Sequence, residues 1–430
     1  MWALVDCDNF FCSCERVFRP DLNGRTVVVL SNNDGCVVAR SKEAKAMGIR
    51  MGLPYYQMKE RFPNADIVAF SSNYVLYADM SARVQAVLKS EAPAVYQYSI
   101  DEAFLDLSGM EKMDLKKWGE QLAAKVYKWT GIPISIGIAK SKTLAKVAVR
   151  YAKKYAGYKK CCIIENEDQR YKALKHFDIE DLWGIGRRHN RSLKMLGINT
   201  AYDFTMKPRS WVRKNYTVTG ERTWAELWGH DVIELDPMDR KKQSIVTSRT
   251  FPGMITDEAE LGINISNYAA RCALKLRKQN SVCSLITVYA MTNPFREDLP
   301  QYRGHATHIF TTPTNNTNEI VAAAKAMLHE LYRPGIHFKK AGVLVDRFSS
   351  ADAYQPDLFE FDPEQRKKYD SVSHAMDIIN SRMGNDTLIL AAQQYTAKDE
   401  TGKSIKFSEA IKRDMKSPEY STCLDAFIIK

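Results

Sequence analysis

Residues 98–106 read Tyr98-Ser99-Ile100-Asp101-Glu102-Ala103-Phe104-Leu105-Asp106. The tyrosine, isoleucine, phenylalanine and leucine favour a strand, yet two adjacent carboxylates interrupt it. A charge in a buried apolar strand is costly unless it is paired or binds a cation. The same conflict occurs at Trp2-Ala3-Leu4-Val5, which reads as a strand buried on both faces and ends in Asp6. Hard divalent cations resolve both conflicts, because they take carboxylate oxygens and leave positions open for phosphates. Two-metal phosphoryl transfer needs ions about 3.5–4 Å apart, one at the attacking oxygen and one at the leaving group. At least one acid must then bridge both ions, so acids converge from separate strands. Asp6 and Asp101 are the expected bridging pair, with Glu102 on the ion at the attacking oxygen; Asp8 and Asp106 are further acids nearby. Spacing alone leaves open the plainer reading of surface acids at strand ends.

Working outward, Thr26–Leu30 is a second apolar strand, turned by Ser31-Asn32-Asn33-Asp34-Gly35 into a strand at Cys36–Ala39. A short helix over Ser41–Met47 stops at Gly48, and helical spacing returns over Tyr74–Lys89. A helix at Leu115–Trp129 leads to a strand at Ile132–Ile138, and Ser141 can cap the helix that follows. Strands separated by helices imply an α/β or α+β domain. Lys172–Ile233 reads as helical with short breaks. From Ser244 to Phe348 the expected order is β-α-β-β-α-β, the split arrangement of a small ferredoxin-like domain, after a linker at Pro237–Gln243. Residues beyond about Ser350 are polar and weakly periodic and read as a tail with local helices.

A chain of 430 residues should hold two to four domains at roughly 100–200 residues each. The net charge of +11 favours nucleic acid or an anionic surface as partner. Nine cysteines without a Cys-x-x-Cys pair exclude the common zinc spacing and suit reduced, buried thiols in a cytoplasmic protein. No run of about 18 apolar residues occurs and no basic leader precedes Trp2, so no membrane association is expected.

Val5-Asp6-Cys7-Asp8-Asn9-Phe10-Phe11 resembles the first palm motif of the Y-family DNA polymerases, and Ser99-Ile100-Asp101-Glu102-Ala103 resembles their most diagnostic one. With the order of the later segments, the resemblance spans nearly the whole chain and points to the UmuC-type branch. It implies an α+β multidomain right-hand fold: a ferredoxin-like palm at 1–25 and 75–171, small fingers at 26–74, a helix-hairpin-helix thumb at 172–236, a little finger at 243–349 and a tail at 350–430.

Carried over by position, the resemblance makes Asp6, Asp101 and Glu102 the catalytic metal ligands, with the backbone carbonyl of Cys7 beside them. The ions would be two Mg²⁺, with Mn²⁺ as an alternative. Phe11 takes the place of the steric gate, an aromatic ring against the sugar C2′ that leaves no room for a hydroxyl. Phe10 is either a second nucleotide contact or plain core. The fingers motif reads Ser41-Lys42-Glu43-Ala44-Lys45, a form similar to that of the UmuC branch. The triphosphate brings about four negative charges that lysines and arginines must share. Lys45 and Lys153 are the main candidates for it, with Arg40 and Lys42 behind them. Gly184, Gly186 and Arg187 in Leu182-Trp183-Gly184-Ile185-Gly186-Arg187 would hold a DNA phosphate through backbone amides and charge. Gln355-Pro356-Asp357-Leu358-Phe359 resembles the peptide by which bacterial polymerases dock on the sliding clamp, through Gln355, Leu358 and Phe359.

The implied activity is error-prone synthesis of DNA across damaged bases during the SOS response. Primer-template DNA and deoxynucleoside triphosphates would be substrates, and a UmuD′-like accessory protein and RecA partners. Two rivals differ in class. A palm-fold nucleotidyl cyclase also uses two metals and strand-end acids, but needs no thumb or clamp peptide. A non-catalytic DNA or clamp partner would not need Asp6, Asp101 and Glu102.

Overall fold

The run after Trp2 is apolar throughout because neighbouring side chains enter two different cores. A computed structural model describes residues 1–110, 112–235, 241–353, 362–384, 386–394, 396–398, 404–406, 413–418 and 420. In it the chain divides into two compact units, Met1–Asp239 with Arg413–Lys430, and Arg240–Lys412.

The first unit begins with β1 (Trp2–Cys7), α1 (Phe10–Phe18), β2 (Thr26–Leu30), β3 (Val37–Arg40), α2 (Lys42–Ala46), α3 (Tyr55–Arg61), β4 (Ile67–Ser71) and α4 (Tyr74–Lys89). It continues with β5 (Ala94–Gln97), β6 (Glu102–Asp106), α5 (Leu115–Thr130), β7 (Ile134–Ala139), α6 (Lys142–Lys154) and β8 (Cys161–Ile164). Five strands make one sheet in the order β5-β6-β1-β7-β8. Ala3, Val5 and Cys7 join the core shared with α1, α4 and α5, whereas Leu4 joins the core of α6. The period of two along a strand sends Asp6 to the same side as Leu4, and Glu102 to the same side as Phe104. That is the side of α6.

α6 lies unusually close to β7. A Cβ at Gly137 would stand 2.2 Å from the Ala145 carbonyl oxygen and 2.2 Å from the Val149 nitrogen. Ser141 caps this helix as expected, accepting from the Leu144 amide. A separate sheet, β3-β2-β4, packs α2 and α3 through Val28, Leu30, Ala44, Ile49 and Met58. β4 pairs parallel to β2, a partnership the hairpin reading did not include. Three short helices follow, α7 (Glu167–Lys175), α8 (Arg187–Met195) and α9 (Ala201–Thr205), then the 19-residue α10 (Arg209–Leu227).

The second unit holds β9 (Ile245–Ile255), α11 (Glu258–Lys278), β10 (Ser281–Met291), β11 (Arg303–Thr314), α12 (Thr317–Leu331) and β12 (Phe338–Ser350), the order expected from sequence. Its sheet runs β11-β10-β12-β9, all neighbours antiparallel. Each β-α-β pair is thus split by a strand of the other.

The tail, where local helices are expected, carries a 21-residue helix, α13 (Pro363–Met383), docked on the second unit. Arg366 binds Glu319 at 2.8 Å and the Pro313 carbonyl at 3.0 Å, and Arg277 binds Asp377 at 2.7 Å. The buried residues of α13 are Arg366, Ser373 and Met376. Most of that buried stripe is polar, so it leaves no apolar period to read. Residues 413–418 and 420 pack instead on the first unit. Most of the expected linker, and the whole clamp-like peptide with Gln355, Leu358 and Phe359, lie outside the described residues. Among the described residues no helix is long and apolar enough to cross a membrane.

Candidate active site

The acids meet where β1 ends and β6 begins. Asp6 stands directly opposite Glu102 in the antiparallel register, and the Cys7 amide donates to the Asp101 carbonyl at 2.9 Å. Ser99 shapes the approach to β6. Its hydroxyl donates to Asp101 Oδ1 at 2.6 Å and accepts from the amides of Asp101 and Glu102 at 3.2 and 3.0 Å. The serine before the acid pair therefore orients the first acid.

Burial pushes the Asp6 carboxyl up to about 6; Lys153 opposes the rise, and the charges of Glu102 and Asp101 add to it. Burial and the nearby Asp6 and Asp101 charges also push the Cys7 thiol up, so it stays a thiol. Two lysines of α6 answer the acids. Lys153 Nζ bonds Asp6 Oδ1, and Lys146 Nζ reaches the Glu102 oxygens at 3.1 and 3.2 Å. Asp8 is held by Lys160 at 2.7 Å and by the Ser135 hydroxyl at 2.9 Å.

Lys146 was not among the residues read from sequence. It also lies 4.4 Å from the Tyr98 ring centre and 5.1 Å from that of Trp183. Its position seven residues before Lys153, two turns along the same helix face, was the available signal.

Lys45 Nζ donates to Asn9 Oδ1, whose residue sits in the left-handed region (φ 50°) just before α1. Burial lowers the Lys45 ammonium, and the charges of Lys153 and Arg40 lower it further. These three cations are therefore electrostatic neighbours. Arg40 is partly committed, donating to the Ile49 carbonyl at 2.7 Å, and Lys42 is exposed on α2.

The two aromatic residues after Asn9 separate. Phe10 is 3 % exposed and belongs to the core. Phe11 is half-buried and stacks on Tyr77, with ring centres 4.3 Å apart and planes 14° apart. Tyr74 meets Phe11 edge-on at 5.9 Å.

In the helical region, Gly184 takes φ +90°, and a Cβ there would meet the Thr223 hydroxyl at 2.7 Å. Gly186 precedes α8, and Gly184, Gly186 and Arg187 are exposed together. Two basic residues of the second unit serve its own fold. Arg277 holds Asp377, and Lys339 donates to the Pro252 and Gly253 carbonyls at 3.1 and 3.2 Å.

The donors are the carboxylate oxygens of Asp6, Asp101 and Glu102 and the Cys7 carbonyl, all oxygen, which suits a hard divalent cation, and burial together with the neighbouring acids raises Asp6 until a cation offsets it. Among the described residues no three His, Cys, Asp or Glu side chains are gathered round one point to hold an ion. Lysine ammonium groups act as the counter-charges of Asp6 and Glu102 in this arrangement.

The fold is that of a Y-family DNA polymerase. A Y-family polymerase chimera of Dbh and Dpo4 superposes with a TM-score of 0.64 at 22% identity, covering 80% of this chain and 98% of that one. An insertion ternary complex of Dbh DNA polymerase gives 0.53 over similar spans. The profile of the impB/mucB/samB family matches residues 5–150, and that of its C-terminal domain residues 242–358. A domain of unknown function matches residues 370–429. Protein UmuC of Salmonella typhimurium is 42% identical over 98% of both chains, and Protein ImpB of the same organism is 41% identical over 88% of this chain and 90% of its own. DNA polymerase IV of Desulfatibacillum aliphaticivorans is 28% identical over 90% of this chain and 95% of its own. The chain belongs to the impB/mucB/samB family, the UmuC-type branch of the Y-family polymerases.

Proposed function

We propose that this chain extends a DNA primer across damaged template bases, with the acids at the junction of β1 and β6 as its catalytic centre. The observation that carries the reading is the register that sets Asp6 opposite Glu102, with Asp101 adjoining them through the Cys7 amide. Asp6, Asp101 and Glu102, with the Cys7 carbonyl, would hold two Mg²⁺ or Mn²⁺ ions. Divalent ions bound there supply charge neutralisation at the phosphates and a lowered pKa for the attacking hydroxyl.

The residues of the chain do the rest. Lys153 and Lys146 neutralise Asp6 and Glu102 when no other cation does, which keeps four neighbouring acids tolerable in a half-buried site. Lys45, with Lys153 and Arg40 near it, presents positive charge for the β- and γ-phosphates; Lys42 is a further candidate. Phe11 excludes a ribose hydroxyl by its bulk, and the buried Phe10 supports the helix that carries it. Gly184, Gly186 and Arg187 grip a template or primer phosphate.

The wider setting is cytoplasmic and belongs to the SOS response. The sliding clamp would bind Gln355, Leu358 and Phe359, and a UmuD′-like protein and RecA would act with the chain. The test is primer extension with Mg²⁺ by the chain and by Asp101→Ala, with assay for cyclic nucleotide alongside. Extension that vanishes with Asp101→Ala supports the reading. Unchanged extension by that variant, or cyclic nucleotide as the product, overturns it.

A further inference from the structure

Residues 413–418 return to the first unit 344 to 402 positions after the residues they meet. Lys416 bridges in parallel to Ser71 at the end of β4. The Ser71 amide donates to the Met415 carbonyl at 3.0 Å, and the Met415 amide donates to the Ser71 hydroxyl at 3.0 Å. The Asp414 amide donates to Asp34 at 3.2 Å. Met415 packs against the core of β2, β3 and α2, and Tyr420 stacks on Phe18 with ring centres 4.4 Å apart.

Ser417 reaches deepest. It is almost wholly buried and accepts from Asn73 Nδ2 at 3.0 Å, while its own hydroxyl donates to Glu15 Oε1 at 3.2 Å. The same Glu15 oxygen accepts from the Tyr77 hydroxyl at 2.7 Å. Asn73 in turn caps α4, the helix that carries Tyr74 and Tyr77. Phe11 and Glu15 lie four apart on one face of α1, so both look onto Tyr77. Phe11 takes its ring and Glu15 its hydroxyl.

Glu15 is fully buried, and its second oxygen has no hydrogen-bond partner among the described residues. A buried carboxylate with one oxygen unmet is expensive, and an apolar side chain would pack there without that cost. What it makes is a hydrogen bond to the Tyr77 hydroxyl.

We propose that the returning segment, through Ser417, is a positioning element for Phe11. Ser417 and Asn73 fix Glu15 and the start of α4, Glu15 fixes Tyr77, and Tyr77 is the platform against which Phe11 stands. Loosening that series of contacts lets the Phe11 ring yield to a 2′-hydroxyl and so weakens discrimination against ribonucleotides. The proposal rests on Phe11 being the sugar gate.

The experiment measures kcat/KM for insertion of one dNTP and its matching rNTP by the 430-residue chain. The variants are Phe11→Ala, Ser417→Ala, Ser417→Thr and Tyr77→Phe, each checked by circular dichroism. The expected result is that Phe11→Ala abolishes most discrimination. Ser417→Ala and Tyr77→Phe should lower the dNTP-to-rNTP ratio by about 2- to 10-fold, the span of one hydrogen bond, with dNTP insertion little changed. Ser417→Thr, which keeps the hydroxyl, should restore the ratio. If Phe11→Ala relaxes the ratio while Ser417→Ala and Tyr77→Phe do not, the positioning role is wrong and the gate stands. If Phe11→Ala leaves the ratio unchanged, the gate reading itself falls, and the proposal with it. A uniform loss of both insertions that Ser417→Thr fails to rescue marks a purely structural segment and also overturns the proposal.

Discussion

Asp6 and Glu102 face one another across paired strands, yet each carboxylate is bound to a lysine of a single helix, Lys153 for the first and Lys146 for the second. A divalent ion at Glu102 must compete with the Lys146 ammonium. Replacing Lys146 with glutamine should lower the Mg²⁺ concentration for half-maximal primer extension by up to about 5-fold, the worth of a partly exposed ion pair. A magnesium titration of the variant checks this. A higher requirement would show that Lys146 assists the centre and does not compete there.

Lys45 is a different case, because its neighbours Lys153 and Arg40 are also cations. Charge gathered this way suits an anionic ligand. Lys45→Ala should raise KM for the incoming nucleotide and lower kcat/KM by about 10- to 100-fold, the range of a hydrogen bond to a charged group. Steady-state insertion kinetics decide it; an unchanged KM removes Lys45 from the phosphate site.

Gly137 is required by close packing. An added methyl would collide with backbone atoms of α6, which cannot rotate away as a side chain would. Gly137→Ala should cost about 1–3 kcal/mol of stability, as overpacking does. Extension should fall with it, because α6 carries both site lysines. Urea unfolding measures the first effect; a midpoint equal to that of the parent would mean that α6 can shift without penalty.

Glu15 gives a pH dependence of definite sign. Burial raises its carboxyl above the ordinary 4.5, against the hydrogen bonds from Tyr77 and Ser417 that lower it. The folded state then keeps the proton over a range in which the unfolded chain releases it. Stability from this group is therefore greatest at low pH and declines as pH rises from 4.5 through the folded value, by about 1.4 kcal/mol for each pH unit between the two. Glu15→Gln should flatten that decline. Unfolding midpoints from pH 4.5 to 7.5 for both proteins test it, and parallel profiles would count against it.

Much of the candidate site was readable because β1 and β6 are apolar runs ended or begun by acids, a conflict visible without coordinates. The helix after Ser141 was readable from its cap and period, whereas Lys146 on it looks like any solvated helix lysine in sequence. The α1 helix was not, since it is short and starts from a left-handed asparagine at position 9. β4 and β8 are short strands held by parallel partners, and parallel pairing leaves no hairpin turn to recognise. The docking of residues 413–418 was beyond reach. It is made mainly by hydrogen bonds to Ser71, Asn73, Asp34 and Glu15, and polar contacts across hundreds of residues have no periodicity.

That docking has a consequence for how the protein is made. Asn73 and its partner Ser417 are 344 residues apart, and a ribosome adding about 5–20 residues per second needs roughly 20–70 s to cross that interval. For all that time the Ser71 amide and hydroxyl lack their partners in Met415, and Glu15 has the Tyr77 hydroxyl without that of Ser417. Translation that stops early would release a first unit with Asp6 and Glu102 paired across β1 and β6 but without the Ser417 contacts to Asn73 and Glu15.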